Sequence, residues 1–229
     1  STLSSSSAAS DVYKRQDMFI NYAKQYSDMP FVIMLDEDEN GYKAGRFLRA
    51  SDLGMSGENN EWKPVIQDKL SQQLLVPNGT MGQRWEEGKK WNLKLETEDG
   101  TPIDPMLSMV ESDYHVETIQ FPYFDSSGDG IFERPIATRT IQLANGEEVK
   151  IATVYDLMTS QYGVQRFEHE LEATSYDDAS SKYTPAWQEQ ITGIKKELVT
   201  KMAKEFAQNA IDTGGRSMII MGGWYQPLV

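Results

Sequence analysis

The chain has 229 residues, of which 39% are hydrophobic and 10% aromatic, so it is long and apolar enough for one large folded domain or two small ones. A formal net charge of −13 argues against nucleic acid and against anionic lipid surfaces as partners, because both are bound by basic patches. There is no cysteine for a disulfide, a zinc site or an iron–sulfur cluster, and no stretch of about 20 apolar residues that could span a bilayer.

The first sixteen residues differ in composition from the rest. "STLSSSSAAS" is rich in serine and poor in apolar residues, so it cannot bury enough surface to offset the entropy of ordering it. It also lacks the basic start and the apolar stretch of a secretory signal peptide. We expect residues 1–16 to be a disordered or foreign extension whose deletion leaves the melting temperature unchanged.

From Asp17 onward the chain alternates between helix, strand and loop. A short helix that ends before Pro30 is predicted by apolar residues at i, i+3, i+4 and i+7, namely Phe19, Tyr22, Ala23 and Tyr26. The apolar run 31–35 predicts a buried strand, and the acidic stretch 36–42 a solvated turn. Residues 44–53 then predict a strand followed by the start of a helix at Ser51 and Asp52.

The middle of the chain, about residues 54–135, is rich in Gly, Asn, Pro and Trp and has few periodic stretches. It predicts a mostly irregular excursion with short strands at 91–97 and 117–124. Alternating apolar residues at 139–152 surround Asn145-Gly146, a dipeptide that favours a type I′ hairpin turn.

The last part of the chain predicts three helices. The first follows residue 153 and ends at Gly163; the second begins with Thr184 as N-cap and Pro185 at the first helical position, and ends at Gly193. The third carries an amphipathic stripe and ends at Gly214-Gly215; the stripe consists of Leu198, Met202, Phe206 and Ala210. We expect this stripe to pack against an apolar strand at 216–221, which makes 184–223 a helix–strand unit of a parallel sheet and the chain an α/β protein.

Motifs that carry chemistry are weak in this sequence. "FEHELE" (167–172) could supply a histidine and carboxylates to a metal, but consecutive residues cannot all converge from a helix, so a surface helix is the preferred interpretation. "DSSGDG" (125–130) partly imitates a calcium loop, yet Ile136 stands where a glutamate is required, which favours a hairpin or surface loop. "NGT" (78–80) fits either a glycosylation site or an Asn-Gly turn. No catalytic residue and no metal ligand is assigned from the motifs.

A series of longer stretches carries more information than the motifs. In order along the chain they are "YSDMPFVIML…GRFLRASDL" (26–53), "ENNEWKP" (58–64), "VPNGTMGQRW…KWNL" (76–93), "FPYF" (121–124), "TVYDLMTSQYG" (153–163), "ATSYDDASSKYTPAWQEQITGI" (173–194) and "AKEFAQNA…GRSMIIMG" (203–222). Their order and spacing resemble the catalytic alpha subunit of membrane-bound respiratory nitrate reductase, a molybdopterin oxidoreductase of the dimethyl-sulfoxide-reductase superfamily. Such subunits are several times longer, so the resemblance implies an internal fragment: residues 17–229 as a partial molybdopterin oxidoreductase domain.

The resemblance implies a function and partners for the parent enzyme. It would reduce nitrate to nitrite in anaerobic respiration, at a bis-molybdopterin guanine dinucleotide molybdenum centre accompanied by a [4Fe–4S] cluster. Electrons would come from quinol through an iron–sulfur beta subunit and a haem b membrane gamma subunit, which would hold the enzyme at the cytoplasmic face of a prokaryotic membrane. The ligands of molybdenum and of the cluster precede the matched region in the family, so this fragment alone is expected to be inactive.

Three residues near the end of the sequence correspond to the cofactor-binding loop of the family. Gly222 and Gly223 fall at the glycine loop after the strand, and Trp224 matches an aromatic position beside the pterin cofactor. Glycine would let backbone N–H groups approach the pyrophosphate closely. The asparagine and histidine of the family's loop are missing here, and the alternative is that the glycines only end a strand.

Other functions stay open at this stage. A related molybdoenzyme would act as a chlorate or selenate reductase or as a nitrite oxidoreductase, and the residues that distinguish these substrates surround the molybdenum ligand. From another class, the segment would be a non-catalytic domain that provides a scaffold or binds a partner.

Overall fold

The computed structural model describes residues 17–90, 92–125 and 128–219. Its helices are α1 (Asp17–Tyr26), α2 (Val154–Gln161), α3 (Pro185–Thr192) and α4 (Lys196–Thr213), and its strands are β1 (Val32–Asp38), β2 (Gly41–Phe47), β3 (Ile66–Gln67), β4 (Leu74–Leu75), β5 (His115–Asp125), β6 (Gly128–Gln142) and β7 (Glu148–Thr153). Short 3-10 helices lie at Ala50–Leu53, Asn60–Trp62, Met81–Trp85 and Met109–Glu111.

Five of the strands form a closed sheet in the order β1-β2-β5-β6-β7, with β7 pairing back onto β1. All pairs are antiparallel except β2 with β5, which run parallel and place Tyr42 opposite Ile119. The strands β3 and β4 form a separate hairpin. The predicted α/β class, with short hairpins and some parallel pairing, is therefore confirmed, although the parallel pair joins β2 to β5 and does not involve residues 216–219.

The closed sheet contributes buried residues to two apolar clusters. Four consecutive residues of β1, Val32 to Leu35, are buried, as the apolar run 31–35 predicts. Successive residues on a strand point to opposite faces, and accordingly Val32 and Met34 join one apolar cluster while Leu35 joins another. Residues outside the sheet, such as Leu53, Phe167 and Leu157, pack against these clusters, so this part of the chain has a core of its own.

The turns and caps follow local signals in the sequence. In α3, the Thr184 hydroxyl accepts a hydrogen bond from Trp187 N at 3.1 Å, Pro185 opens the helix, and Gly193 ends it with φ 72°, all as predicted. The hairpin at Asn145-Gly146 also forms, but only Gly146 has a positive φ, 88°. Type I′ requires positive φ at both central residues, so the predicted turn type is wrong.

Four details between residues 17 and 135 differ from the sequence predictions. Helix α1 forms, but Tyr22 and Tyr26 are exposed and only Ala23 of the predicted face is described as buried. The acidic stretch 36–42 is mostly strand, because β1 continues to Asp38 and the turn before β2 is short. The irregular excursion ends near residue 114, since β5 and β6 pair as one long hairpin. No strand forms within 92–97, the described part of the predicted strand 91–97.

The C-terminal unit, predicted as a helix followed by a strand, differs most from its sequence prediction. Helix α4 has the predicted bounds, yet Leu198, Met202 and Phe206 are exposed, so the stripe does not pack against a following strand. Residues 216–219 form no strand, and the rest of the predicted strand lies outside the described residues, as does the extension 1–16. The division into an extension and one partial domain remains a prediction.

Candidate functional site

The residues predicted to bind the cofactor, Gly222, Gly223 and Trp224, lie outside the described residues, and their role remains a prediction. The chain leading to them is described. Helix α4 ends at Gly214 with φ 68°, and the chain then turns back along the helix. Ser217 Oγ donates to the carbonyl of Phe206 at 3.0 Å, and Asn209 Nδ2 donates to Arg216 O at 3.1 Å.

The stretch "FEHELE" forms neither a metal site nor the predicted surface helix. It is an irregular turn organised by the buried carboxylate of Glu172, which accepts hydrogen bonds from the backbone N–H groups of Arg166, Phe167 and His169 at 2.7 to 3.0 Å. His169 accepts a hydrogen bond from Leu171 N at its Nδ1. In the described part of the chain, no group of three His, Asp or Glu side chains could hold a metal ion.

The other two weak motifs lie in the β5–β6 hairpin and in a turn. The calcium-like stretch lies at the tip of the β5–β6 hairpin, where Asp125 pairs with Gly128, and Ile136 is fully buried in the core. In the Asn-Gly turn, Asn78 Nδ2 donates to Glu96 Oε1 at 3.0 Å. A Cβ atom at Gly79 would lie 2.2 Å from the carbonyl oxygen of Asn92, so only glycine fits there.

A buried polar network joins segments that are far apart in sequence. The carboxylate of Asp156, fully buried in α2, accepts hydrogen bonds from Ser108 Oγ at 2.6 Å, Met109 N at 2.8 Å, Thr153 Oγ1 at 2.9 Å and Arg166 Nη1 at 2.7 Å. Arg166 also donates to the Ser108 hydroxyl. The charges are thus paired and hydrogen-bonded, as a buried ion pair requires. The network holds α2 against the segment before β5.

The buried guanidinium of Arg134 is the second polar feature of the interior. Its Nη2 donates to Ser181 Oγ at 3.0 Å and to Lys182 O at 3.3 Å, and its Cζ lies 4.9 Å from the centre of the Phe132 ring. Its Nε finds no acceptor among the described residues. Burial lowers the pKa of Arg134, and the charges of Asp178 and Glu172 partly offset that effect.

A cluster of aromatic rings that begins at Phe132, beside Arg134, connects α3 to the closed sheet. Tyr183 is the centre of this cluster: its ring centroid lies 5.5 Å from that of Phe132, 5.8 Å from Tyr162 and 5.4 Å from Trp187. Together, Arg134 and these rings fix the segment that precedes α3, which is part of the "YTPAW" stretch of the family resemblance. The cluster positions a loop and contains no pair of nucleophile and base.

A cleft of about 470 Å³ lies beside the 3-10 helix Met81–Trp85. Phe31, Phe47 and Pro64 line it together with Arg49, whose guanidinium lies 5.4 Å from the centre of the Phe47 ring. Burial, and then the charge of Arg46, lowers the pKa of Arg49. Among the described residues Arg49 makes no ion pair, although its Nη1 donates to Trp62 O at 3.3 Å, and Asp28 also lines the cleft. This cleft was not predicted from the sequence.

One local signal could have identified part of these arrangements. Thr153 and Asp156 stand three residues apart at the start of α2, the spacing of a capping box, and the Thr153 hydroxyl accepts from Asp156 N at 3.0 Å. Ser108, Arg134 and Arg166 carry no such signal, because their partners come from distant parts of the chain.

The chain is similar to several proteins of known activity. It is 48% identical over 212 residues to the nitrate reductase alpha chain of Bacillus subtilis, 40% identical over 225 residues to the respiratory nitrate reductase 1 alpha chain of Escherichia coli, and 39% identical over 224 residues to a nitrate reductase alpha subunit of Mycobacterium tuberculosis. These alignments cover 90% to 93% of this chain but only 17% or 18% of each relative. No family model matches the chain.

These similarities confirm the resemblance found in the sequence: the chain is homologous to part of nitrate reductase alpha chains, and it spans less than a fifth of the length of these three relatives. The names "alpha chain" and "alpha subunit" describe one subunit of an assembly. In the described part of the chain, no helix is both long enough and apolar enough to cross a membrane.

Proposed function

We propose that this chain is part of the alpha subunit of a respiratory nitrate reductase, the oxidoreductase that reduces nitrate to nitrite in anaerobic respiration. The observation that carries the proposal is the similarity to nitrate reductase alpha chains over nine tenths of the chain. The fold agrees with a structural role inside a larger subunit, because the closed sheet has its own core while α4 leaves an apolar stripe exposed.

The parent enzyme would use a bis-molybdopterin guanine dinucleotide molybdenum centre, which supplies the oxygen-atom transfer, and a [4Fe–4S] cluster. The sequence has no cysteine that could bind the cluster, and the described residues include no group of three His, Asp or Glu side chains that could hold a metal ion. The ligands would belong to other parts of the longer polypeptide. This chain would contribute at most backbone N–H groups at Gly222 and Gly223, with Trp224 beside the pterin.

The proposed partners are those of a quinol-dependent respiratory complex. An iron–sulfur beta subunit would pass electrons to the alpha subunit, and a haem b gamma subunit would collect them from quinol in a prokaryotic membrane. The complex would then be membrane-associated through its partner subunits, with the alpha subunit at the cytoplasmic face.

A chimeric alpha chain tests this function. Residues 17–222 replace the aligned segment of the Bacillus subtilis relative, and the unchanged relative is the control. We expect the chimera to incorporate molybdenum and to reduce nitrate with reduced methyl viologen as electron donor. A chimera that accumulates and holds molybdenum but does not reduce nitrate would contradict the proposal and favour a scaffold with another role.

The substrate of the parent enzyme can be tested with the longer polypeptide that the flanking coding sequence specifies. That polypeptide would include the residues around the molybdenum ligand, which distinguish the substrates of the family. The polypeptide encoded there, assayed with nitrate, chlorate and selenate and for nitrite oxidation, should be most active in nitrate reduction. Higher activity with one of the others would favour the corresponding related enzyme.

A further inference from the structure

The exposed apolar face of α4 is a feature of the structure that the proposed function leaves unused. We call it the α4 stripe and define it by five apolar side chains that are 40% to 79% exposed: Leu198, Met202, Phe206, Met218 and Ile219. The first three recur every four residues along the helix, and the last two belong to the segment that turns back onto it. The hydrogen bond from Ser217 Oγ to Phe206 O at 3.0 Å joins the helix and this segment in one surface.

Helix α4 gains little burial from the rest of the chain. None of its residues is buried, and its principal neighbour is the short helix α3. Ile191 and Ile194, near the end of α3, are also exposed. Contiguous apolar surface of this kind is uncommon on an isolated domain and usually marks a contact with another polypeptide surface.

The charged residues of α4 do not compete with this contact. Lys196 pairs with Asp177 at 2.6 Å on the side towards the rest of the chain, while Lys201 and Glu205 lie 3.7 Å apart beside the stripe. Hydrogen bonding to Asp177 raises the pKa of Lys196. A surface that covers these five apolar side chains is expected to be apolar as well.

We propose that the α4 stripe is a docking face for another segment of the same longer polypeptide. The occupant follows from length: the chain spans 17% or 18% of the relatives that it matches, so more than four fifths of such a polypeptide lies outside it. A contact within one polypeptide needs no loss of translational freedom, whereas a second copy of this chain would have to offset that cost with the surface of one helix.

Oxidation of methionine by hydrogen peroxide tests this proposal directly. Its rate follows exposure, and the structure offers both reporters and an internal control: Met202 and Met218 lie in the α4 stripe, while Met109 is fully buried in the core. The modification is measured by mass spectrometry in the isolated chain and in the chimeric alpha chain. We expect Met202 and Met218 to react about tenfold more slowly in the chimera, and Met109 to react slowly in both.

Two outcomes would overturn the proposal. Equal oxidation rates of Met202 and Met218 in the two proteins would show that nothing covers the stripe in the longer polypeptide. Protection that appears in the isolated chain as its concentration rises, together with sedimentation as a dimer, would show that a second copy covers it. Nitrate reduction by the chimera is a separate readout, so the docking face and the proposed function can fail independently.

A second measurement tests the docking proposal if the chimera does not accumulate in cells. The tagged isolated chain is co-expressed with the two flanking segments of the Bacillus subtilis relative, and their co-purification is measured. We expect Phe206→Glu to abolish it and Lys204→Glu, a change on the same helix outside the stripe, to leave it unchanged. Co-purification that persists at full yield with Phe206→Glu would contradict the proposal.

Discussion

The closed sheet and helix α4 bury their apolar side chains to very different degrees. Strand β1 buries four consecutive residues, Val32 to Leu35, because its neighbours cover one face and irregular segments cover the other. Helix α4 buries none of its eighteen residues, although its sequence carries an amphipathic stripe. The sheet finds its partners within the chain, and the helix does not. Apolar periodicity therefore predicts that a face will be covered, but it does not say which polypeptide segment covers it.

Of the substitutions that test this comparison, one in the polar network of α2 should lower the free energy of unfolding most. The network lies entirely within the part of the chain that has its own core. Asp156→Ala leaves the Arg166 guanidinium without its buried partner, and we expect the free energy of unfolding to fall by roughly 4 kcal/mol. Urea denaturation of the isolated chain measures it, with the exposed Asp212→Ala on α4 as control. A loss below about 1 kcal/mol would mean that the network is open to water.

A core substitution in the closed sheet should cause the second-largest loss of unfolding free energy. Ile136 is fully buried in β6, so Ile136→Ala removes buried methyl groups and leaves a cavity. We expect a loss of roughly 3 kcal/mol by the same denaturation. If this variant were as stable as the unchanged chain, the sheet would not be the stable part of the isolated protein.

An exposed ion pair on the closed sheet should have a smaller, pH-dependent effect. Arg46 donates to both carboxylate oxygens of Asp52 at 2.7 Å, and these hydrogen bonds lower the pKa of Asp52. The stabilisation is therefore present above the unfolded-state pKa of about 3.9 and is lost as the pH falls through the lower pKa of the folded state. Because Arg46 is exposed, we expect Asp52→Asn to cost at most about 1 kcal/mol at pH 7.

The pH dependence provides the check on that interpretation. The difference in unfolding free energy between the unchanged chain and Asp52→Asn should shrink when the pH is lowered below 4, as roughly expected for a carboxyl group with a depressed pKa. A difference that stays constant from pH 7 to about pH 2 would show that the charge of Asp52 contributes nothing.

Helix α4 should give the smallest effect. If Phe206 were buried against residues 216–221, as the sequence predicts, Phe206→Ala would cost on the order of 3 kcal/mol through lost packing. In the structure Phe206 is exposed, so in the isolated chain we expect a loss below about 0.5 kcal/mol. A loss of several kcal/mol would show that Phe206 is buried within this chain and would remove the contrast between the two regions.

Features of the fold that depend on residues close together in sequence are predicted by local signals. The caps of α3 follow from Thr184, Pro185 and Gly193, whose hydroxyl, missing N–H and positive φ act within one turn of the helix. The buried run of β1 and the hairpin at Gly146 are of the same kind.

The features that the sequence does not predict depend on contacts between residues outside the local pattern. The β5–β6 hairpin was underestimated because Pro122 and Pro135 interrupt the strand pattern, although both are accommodated in the paired strands. The turn at "FEHELE" depends on the carboxylate of Glu172, which binds backbone N–H groups up to six residues earlier instead of extending a helix. The environment of Arg134 joins β6 to the segment before α3 and has no signature in either segment.

The most direct test of the central claim, that this chain is a piece of a nitrate reductase alpha subunit without a metal centre of its own, is an assay of the isolated chain with nitrate and reduced methyl viologen. This dye can donate electrons directly to molybdenum, so the missing iron–sulfur ligands would not by themselves prevent turnover. We expect no nitrate reduction and no bound molybdenum or iron, because the chain has no cysteine and its described residues include no metal-binding cluster. Nitrate reduction in proportion to bound molybdenum would contradict the claim.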